Sequence, residues 1–315
     1  MTEKKMWGDK PYYSLDYYLK ETFGRKLYKI SLNAGLTCPN RDGTLGTGGC
    51  IFCSAGGSGD FGASPALSIS EQIEEAKGRV YQKLPESLKN PQGDILPSFI
   101  AYFQAYTNTY GEISYLRKIY HEALSNENTA LLSIATRPDC LGGEVLDLLA
   151  ECAGIKPLWV ELGLQTSHED TAELIGRGYS LPVFEKAVKD LNNIGAKVIV
   201  HMITGLPGEN ASKVLSSMDY IRSQPVQGIK LQLLHVLKDT PLAGMDYKAL
   251  ELEEYTDILI SCIERLPQDM VIHRLTGDGP KKLLLAPLWS GNKKHVLNFI
   301  HKEMKARDSW QGKAL

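Results

Sequence analysis

Three cysteines, Cys38, Cys50 and Cys53, fall within one glycine-rich stretch of the chain. Glycines let a backbone curl, so several thiolates of such a stretch can face one centre. Four interpretations compete. A structural zinc site needs a fourth ligand, which is missing at finger spacing, and a redox Cys-x-x-Cys pair needs only two of the three. An iron–sulfur cluster held by three cysteines leaves one iron open for another molecule, and free thiols are the fourth possibility.

The cysteine stretch lies between a predicted strand over 27–33 and a predicted helix over 68–84, which begins with the capping box Ser68-Ile69-Ser70-Glu71. Further along, apolar runs alternate with helical stretches. Strands are predicted over 97–103, 130–135, 157–163, 196–203 and 228–235, and helices over 112–125, 143–152, 182–194, 210–223 and 251–266. Six βα units of this kind form either a doubly wound sheet or a barrel.

The cysteine loop is the longest connection in this pattern, and long loops after barrel strands carry active sites. A strand-like piece over 270–275 and a basic helix over 292–307 close the chain. We therefore divide the sequence into an N-terminal lead-in (1–25), a core (26–245) and a C-terminal extension (246–315).

A strand, a three-cysteine loop ending in Cys-x-aromatic-Cys, and βα repeats together resemble the radical S-adenosylmethionine (SAM) enzymes. Residues 161–166 (ELGLQT), followed by Gly176-Arg177-Gly178, resemble the fourth-strand signature of the coproporphyrinogen-oxidising and Elongator-like branches. Residues 136–139 (TRPD) and 201–209 (HMITGLPGE) resemble their third- and fifth-strand motifs. Two further segments, 103–110 (FQAYTNTY) and 133–141 (SIATRPDCL), narrow the resemblance. With them, the chain is similar to the bacterial Elongator-like subfamily of the YtqA/YhcC type.

This resemblance implies an α/β fold, a partial (β/α)6 TIM-type barrel. It implies a [4Fe–4S] cluster on Cys38, Cys50 and Cys53, which cleaves SAM to a 5′-deoxyadenosyl radical. The residues that would contact SAM are Phe52, Gln104, Thr107, Thr136, Glu161, Gln165, Arg177 and Met202. The residues expected to act on the substrate are Tyr106, Asn108, His201 and His235.

The sequence departs from the family pattern at three places. The x11 spacing between the first two cysteines is longer than the commonest one. The segment 103–109 (FQAYTNT) replaces the usual Gly-Gly-Glu motif, and Ala135 stands where relatives often carry a glutamate. Backbone carbonyls near Gln104, with Thr107 or Asn108, are therefore the candidates for holding the SAM amino and ribose groups.

Members of the subfamily are implicated in tRNA wobble-uridine maturation, where they act on the route from the carboxymethylaminomethyl to the aminomethyl side chain at C5. The resemblance thus implies tRNA as a partner and a flavodoxin- or ferredoxin-type electron donor. Two alternatives remain: a radical SAM enzyme acting on a small metabolite, and a non-catalytic zinc-bound RNA-binding protein.

Charge and composition bound these alternatives. The chain of 315 residues has a net charge of −2 and is 43% hydrophobic, which excludes a disordered chain and a disulfide scaffold. Residues 273–315 carry nine Lys and Arg against three Asp and Glu, or +6, so the first 272 residues carry −8. A basic end indicates either a polyanionic partner or a solvated helix. Without an apolar leader or a membrane-length apolar run, we expect a cytoplasmic protein with reduced thiols and no membrane contact.

Overall fold

The computed structural model describes residues 2–57, 59, 62–81, 84–86, 99–277 and 279–315. The strands are β1 (Tyr28–Leu32), β2 (Phe99–Phe103), β3 (Thr129–Thr136), β4 (Leu158–Gln165), β5 (Lys197–Thr204), β6 (Gly228–Leu233), β7 (Val236–Leu237), β8 (Val271–Arg274) and β9 (Leu284–Ala286). The helices are α1 (Leu15–Phe23), α2 (Ile69–Tyr81), α3 (Ile113–Ser125), α4 (Gly143–Ile155), α5 (Glu169–Leu174), α6 (Leu181–Asn193), α7 (Ala211–Arg222), α8 (Leu252–Glu264) and α9 (Lys293–Ala306).

Seven of the described strands form one parallel sheet in the order β1-β2-β3-β4-β5-β6-β8. Each strand therefore pairs with the next sheet strand along the chain. A doubly wound sheet would reverse its strand order at a switch point, whereas an unreversed order keeps the helices on one face and curls the sheet into part of a barrel. The predicted partial barrel is thus confirmed, and β8 adds a seventh strand to the six predicted units.

The two faces of the curled sheet carry different side chains. On β5, Val198, Val200 and Met202 join the large apolar core between the strands and the helices. The alternate residues Ile199 and His201 point into the barrel because successive strand residues face opposite sides. Polar residues on the inner face are therefore the ones that can form a site.

Helix α1 closes the amino-terminal end of the barrel. Its Leu19 packs in a second apolar cluster with Tyr102, Trp159 and Ile199 from the inner face. The Ser14 side chain accepts a hydrogen bond from the Tyr17 amide and so caps the start of α1. The predicted lead-in is thus a plug that leaves the opposite, carboxyl-terminal end of the strands as the entrance.

The remaining predictions have these outcomes. The capping box before α2 is present: the Ser68 amide donates to Glu71 (2.7 Å) and the Glu71 amide donates to Ser68 (3.2 Å). The predicted strand over 97–103 and helix over 68–84 each extend partly outside the described residues. The domain division stays a prediction, although β8 of the proposed extension belongs to the barrel sheet.

No helix among the described residues is long and apolar enough to span a membrane.

Candidate functional site

One cavity lies inside the barrel at the carboxyl ends of the strands, where parallel α/β sheets place their ligands. It is lined by the thiols, by loop residues and by inner-face residues of the sheet. The predicted site residues that line it are Cys38, Cys50, Phe52, Cys53, Gln104, Tyr106, Thr107, Thr136, Glu161, Gln165, Arg177, His201 and His235. The structure therefore brings together residues that are spread over almost 200 positions of the sequence.

The cysteine loop is fixed against the turn that follows α5. The Ile51 amide donates to the Ile175 carbonyl (3.1 Å), and the Asn40 side chain donates to the Gly176 carbonyl (2.8 Å). The same Asn40 nitrogen lies 3.5 Å from the Cys50 sulfur. The cysteine loop thus packs directly against the Gly176-Arg177-Gly178 motif, and this contact fixes the sulfurs relative to the fourth strand.

Tyr106 holds the other side of the cysteine loop. Its amide donates to the Gly57 carbonyl (2.9 Å) and its hydroxyl to the Ala55 carbonyl (2.5 Å). A Cβ added to Gly57 would lie 2.3 Å from the Tyr106 ring, so only glycine permits this approach. Tyr106 therefore positions the loop, and a direct role toward substrate stays a prediction.

The three thiols face the cavity without a disulfide, and each is half-buried. Burial, reinforced by the nearby Cys53, raises the pKa of Cys50 to about 11, so a bound cation would favour its thiolate form. In the described part of the chain, no three His, Cys, Asp or Glu side chains are grouped to hold one metal ion. Ligands of a cluster bind different irons and need only face a common volume. The donor set therefore fits a [4Fe–4S] cluster on chemical grounds.

Gln165 provides a second observation that fits a bound cofactor. Its Oε1 is buried and has no hydrogen-bond partner among the described residues. Its backbone is left-handed (φ 67°), which is uncommon for a residue other than glycine and places it at a register shift between β4 and β5. A buried acceptor without a partner is costly, so a donor from a bound molecule would stabilise this arrangement.

Arg177 has a different environment from the one predicted. The side chain is 1% exposed, and its guanidinium donates to the Tyr179 and Thr166 carbonyls and to Glu169 (each 2.8 Å). These bonds tie the end of β4 to the turn that supports the cysteine loop. The structure thus gives Arg177 a positioning role, while its pairing with the SAM carboxylate stays a prediction.

Two predicted residues do not line the cavity. Asn108 is fully buried, and its amide nitrogen donates to the Phe103 (3.1 Å) and Ala135 (2.9 Å) carbonyls at the ends of β2 and β3. Met202 points to the opposite face of β5 and lies in the outer apolar core. Strand alternation explains why Met202 lies outside the cavity, because its neighbour His201 occupies the inner face.

The floor of the cavity is built around the carboxylate of Glu161, which is fully buried. Its Oε1 accepts hydrogen bonds from Lys29 (2.6 Å) and Ser133 (2.9 Å). Its Oε2 accepts from His201 Nε2 (2.8 Å) and from the ammonium of Lys230. Each carboxylate oxygen therefore has two donors, and both ammonium groups share one negative charge.

These contacts set the protonation states on the floor. Burial alone would raise the pKa of Glu161, but the Lys230 and Lys29 ammonium groups and the His201 hydrogen bond hold it well below its usual range. Burial and the neighbouring Lys230 lower the pKa of His201 to about 4. His201 is therefore neutral at pH 7 and donates from Nε2 to a charged carboxylate.

The sequence reasoning identified Glu161 and His201 but missed their cationic partners. Lys29, Lys230 and Arg274 lie on strands that were identified only by their apolar residues. The available signal was alternation: in 228–233 (GIKLQL), Ile229, Leu231 and Leu233 share one face, so Lys230 belongs to the inner one. A lysine on the inner face of a buried strand requires a partner, which would have pointed to the floor.

Comparisons with known proteins agree with this geometry. A family model described as the Radical SAM superfamily matches residues 38–221, and one described as the Radical_SAM C-terminal domain matches residues 226–306. YtqA of Bacillus subtilis is 41% identical over 309 residues, covering 97% of this chain and 93% of that protein. YhcC of Escherichia coli K12 is 36% identical over 281 residues, covering 87% and 86%.

Two more distant similarities concern Elongator-like proteins. A tRNA uridine(34) acetyltransferase of Methanocaldococcus jannaschii is 26% identical over 161 residues, which are 49% of this chain and 29% of that protein. The solved structure of the archaeal Methanocaldococcus infernus Elp3 with an N-terminal deletion matches with a TM-score of 0.66 at 16% identity. The match covers 91% of this chain and 65% of that one, and it establishes the shared fold.

Proposed function

The chain belongs to the radical SAM superfamily, and from that premise we propose that it modifies the C5 side chain of wobble uridine in tRNA. The superfamily uses a [4Fe–4S] cluster and SAM. The proposed change lies on the route from the carboxymethylaminomethyl to the aminomethyl form, with electrons from a flavodoxin- or ferredoxin-type donor. The observation that carries the proposal is the similarity of half the chain to a tRNA uridine(34) acetyltransferase.

The residues of the cavity suit this chemistry. Cys38, Cys50 and Cys53 would hold the cluster, and the unpartnered Oε1 of Gln165 would accept a hydrogen bond from bound SAM. When bound, the two cofactors supply a 5′-deoxyadenosyl radical that takes a hydrogen atom from the substrate. The walls of the barrel and the loop held by Tyr106 border the site, and exclusion of water by bound substrate would protect a reactive species there.

A wobble base is an accessible substrate for such a cavity. It lies in a single-stranded loop and can turn into a pocket without melting a duplex. The cavity opens at the carboxyl ends of the strands, and the opposite end is closed by α1. A side chain at C5 would therefore enter first and point toward the floor.

Basic residues lie beside this entrance. Lys281 and Lys282 are exposed and directly follow Pro280, which lines the cavity. Lys293 and Lys294 are exposed on the first turn of α9, where the helix dipole disfavours cations. The start of a helix and exposed ammonium groups are both suited to binding phosphate groups.

The proposal is tested by mass spectrometry of nucleosides from tRNA of a strain that lacks the gene. We expect the carboxymethylaminomethyl-uridine precursor to accumulate, and the wild-type gene to remove it. A gene encoding Cys53→Ala should leave the precursor in place, although the protein is made. A nucleoside profile that is the same with and without the gene would refute the tRNA proposal and would favour a small-molecule substrate.

A further inference from the structure

The cavity floor carries more basic than acidic groups. Lys29 and Lys230 both pair with the single carboxylate of Glu161, and Glu161 and Lys230 are buried while Lys29 is 23% exposed. Burial lowers the pKa of Lys230 well below its usual value, and the contact with the Glu161 carboxylate opposes this shift. Arg274, two positions after Ile272 on β8, also lines the cavity. Glu161 is the only carboxylate among the described residues that line the cavity.

The cations nearer the entrance have partners of their own. Arg137 makes two hydrogen bonds to Asp139 (2.9 and 2.7 Å), and Arg177 pairs with Glu169 (2.8 Å). Arg41 donates to backbone carbonyls of the cysteine loop. Arg137 and Arg177 thus each have a carboxylate partner, whereas two lysines share one carboxylate at the floor.

The floor can donate further hydrogen bonds, but the Glu161 carboxylate can accept no more. Both carboxylate oxygens already have two donors. The Lys230 ammonium has three protons, and its partners among the described residues are Glu161 and the Tyr102 hydroxyl (3.2 Å). A ligand group that meets this floor should therefore be an anion that accepts hydrogen bonds.

We propose that the floor binds the carboxylate of the substrate's side chain, with Lys230 and Arg274 as its cationic partners. The inference rests on the proposed function, because the carboxymethylaminomethyl group ends in a carboxylate. A buried, preformed cationic floor would then distinguish this side chain from the neutral or cationic forms of wobble uridine. The methionyl carboxylate of SAM is the other source of the same chemistry, and the experiment separates the two.

The test compares two synthetic anticodon stem–loops whose wobble uridine carries either the carboxymethylaminomethyl group or its neutral amide. Their dissociation constants are measured by fluorescence anisotropy with the reconstituted enzyme, and the dissociation constant of SAM is measured in parallel. The variants are Lys230→Gln and Arg274→Gln, with Lys189→Gln on the exposed face of α6 as the matched control. Circular dichroism and cluster absorbance show whether each variant folds and loads the cluster.

We expect the wild-type enzyme and Lys189→Gln to bind the carboxylate form about tenfold to a hundredfold more tightly than the amide. In Lys230→Gln this ratio should fall close to one, with amide and SAM binding unchanged, and Arg274→Gln should lower it as well. If Lys230→Gln fails to fold, Arg274→Gln still tests whether the floor binds the carboxylate.

The remaining outcomes separate this inference from the proposed function. A preserved ratio in both variants would overturn the floor assignment, as would weaker SAM binding with an unchanged ratio, which would assign the floor to SAM. A wild-type enzyme that prefers the carboxylate form but never converts it would support the floor site and refute the proposed reaction. Equal binding of both stem–loops by the wild-type enzyme would overturn the floor site even if the reaction occurs.

Discussion

The entrance of the cavity and its floor are encoded in the sequence in different ways. Cys38, Cys50 and Cys53 belong to one loop, so their spacing can be read directly. On the floor, Lys29 and Lys230 meet Glu161 from positions 132 and 69 residues away. Their meeting depends on the register of three strands, β1, β4 and β6. A local motif therefore positions the thiols at the entrance, whereas strand register positions the charged groups on the floor.

The largest expected effect comes from the entrance. Replacing Cys53 by alanine removes one of the three proposed cluster ligands and should abolish formation of 5′-deoxyadenosine. The reconstituted protein should contain much less iron and acid-labile sulfide, measured together with its visible absorbance. Because Cys53 is half-buried in a loop, urea unfolding of the cluster-free protein should change little.

Cys140→Ser is the matched control for Cys53→Ala. Cys140 is also a half-buried free thiol, but it does not line the cavity. This variant should keep its cluster and its activity. If Cys53→Ala still cleaves SAM, or if Cys140→Ser loses the cluster, the ligand assignment at the entrance is wrong.

A substitution on the floor should have the opposite profile. Glu161→Gln removes the negative charge shared by Lys29 and Lys230 and leaves the buried Lys230 without its carboxylate partner. Breaking a buried ion pair in this way costs about 3–5 kcal/mol. We expect a large drop in the urea midpoint of the cluster-free protein, while the cysteine loop can still take up iron.

The control for Glu161→Gln is Glu151→Gln. Glu151 also has two partners, Arg117 and His121, but its side chain is 39% exposed. Exposed pairs contribute about 0–1 kcal/mol, so this variant should unfold almost like the wild type. Equal destabilisation by the two substitutions would contradict the view that the floor is a tightly coupled buried cluster.

The same contrast explains how much could be predicted from the sequence. Apolar runs and the capping box at Ser68 were sufficient for the strands of the core and for α2. The cysteine spacing and the strand motifs were sufficient to name thirteen of the residues that line the cavity. Alternation places Lys230 on the inner face, but its position beside Glu161 depends on the relative register of β4, β5 and β6, which the sequence alone does not give.

Arg177 shows a second limit of sequence reasoning. A motif identifies the residue type that a site needs, but it does not say which backbone groups the side chain will meet. In the structure, the guanidinium binds the Thr166 and Tyr179 carbonyls and Glu169. These partners depend on the left-handed turn at Gly176 (φ 69°), which is a property of the folded loop.

A pH measurement would sharpen the description of the floor. His201 has a folded-state pKa of about 4, below its ordinary value of 6.5, so the unfolded chain takes up a proton first as the pH falls. Stability should therefore decrease between pH 7 and pH 5, with roughly 2 kcal/mol of the loss due to His201. Urea midpoints measured across this range should depend less on pH in His201→Gln.

The stability of His201→Gln should still depend on pH, because burial also lowers the pKa of His273 and His301. Glu161 contributes little in this range: its depressed pKa means that its stabilisation is lost only below about pH 4.5. A His201→Gln protein whose stability varies with pH as steeply as that of the wild type would contradict the neutral, buried histidine on the floor.

The smallest expected effect lies on α9, whose two ends differ in position. Helix α9 begins just after β9, which pairs with β7 beside the cavity, and it ends near the lead-in, where Asp308 pairs with Lys4. Reversing Lys293 and Lys294 to glutamate should weaken tRNA binding and reduce the slope of log Kd against log salt by about 0.7–0.9 per lost phosphate contact. The same reversal at Lys302 and Lys305 changes the net charge equally but lies toward the other end of the helix. Equal losses from both pairs would mean that tRNA responds to net charge alone and that the entrance has no phosphate contacts of its own.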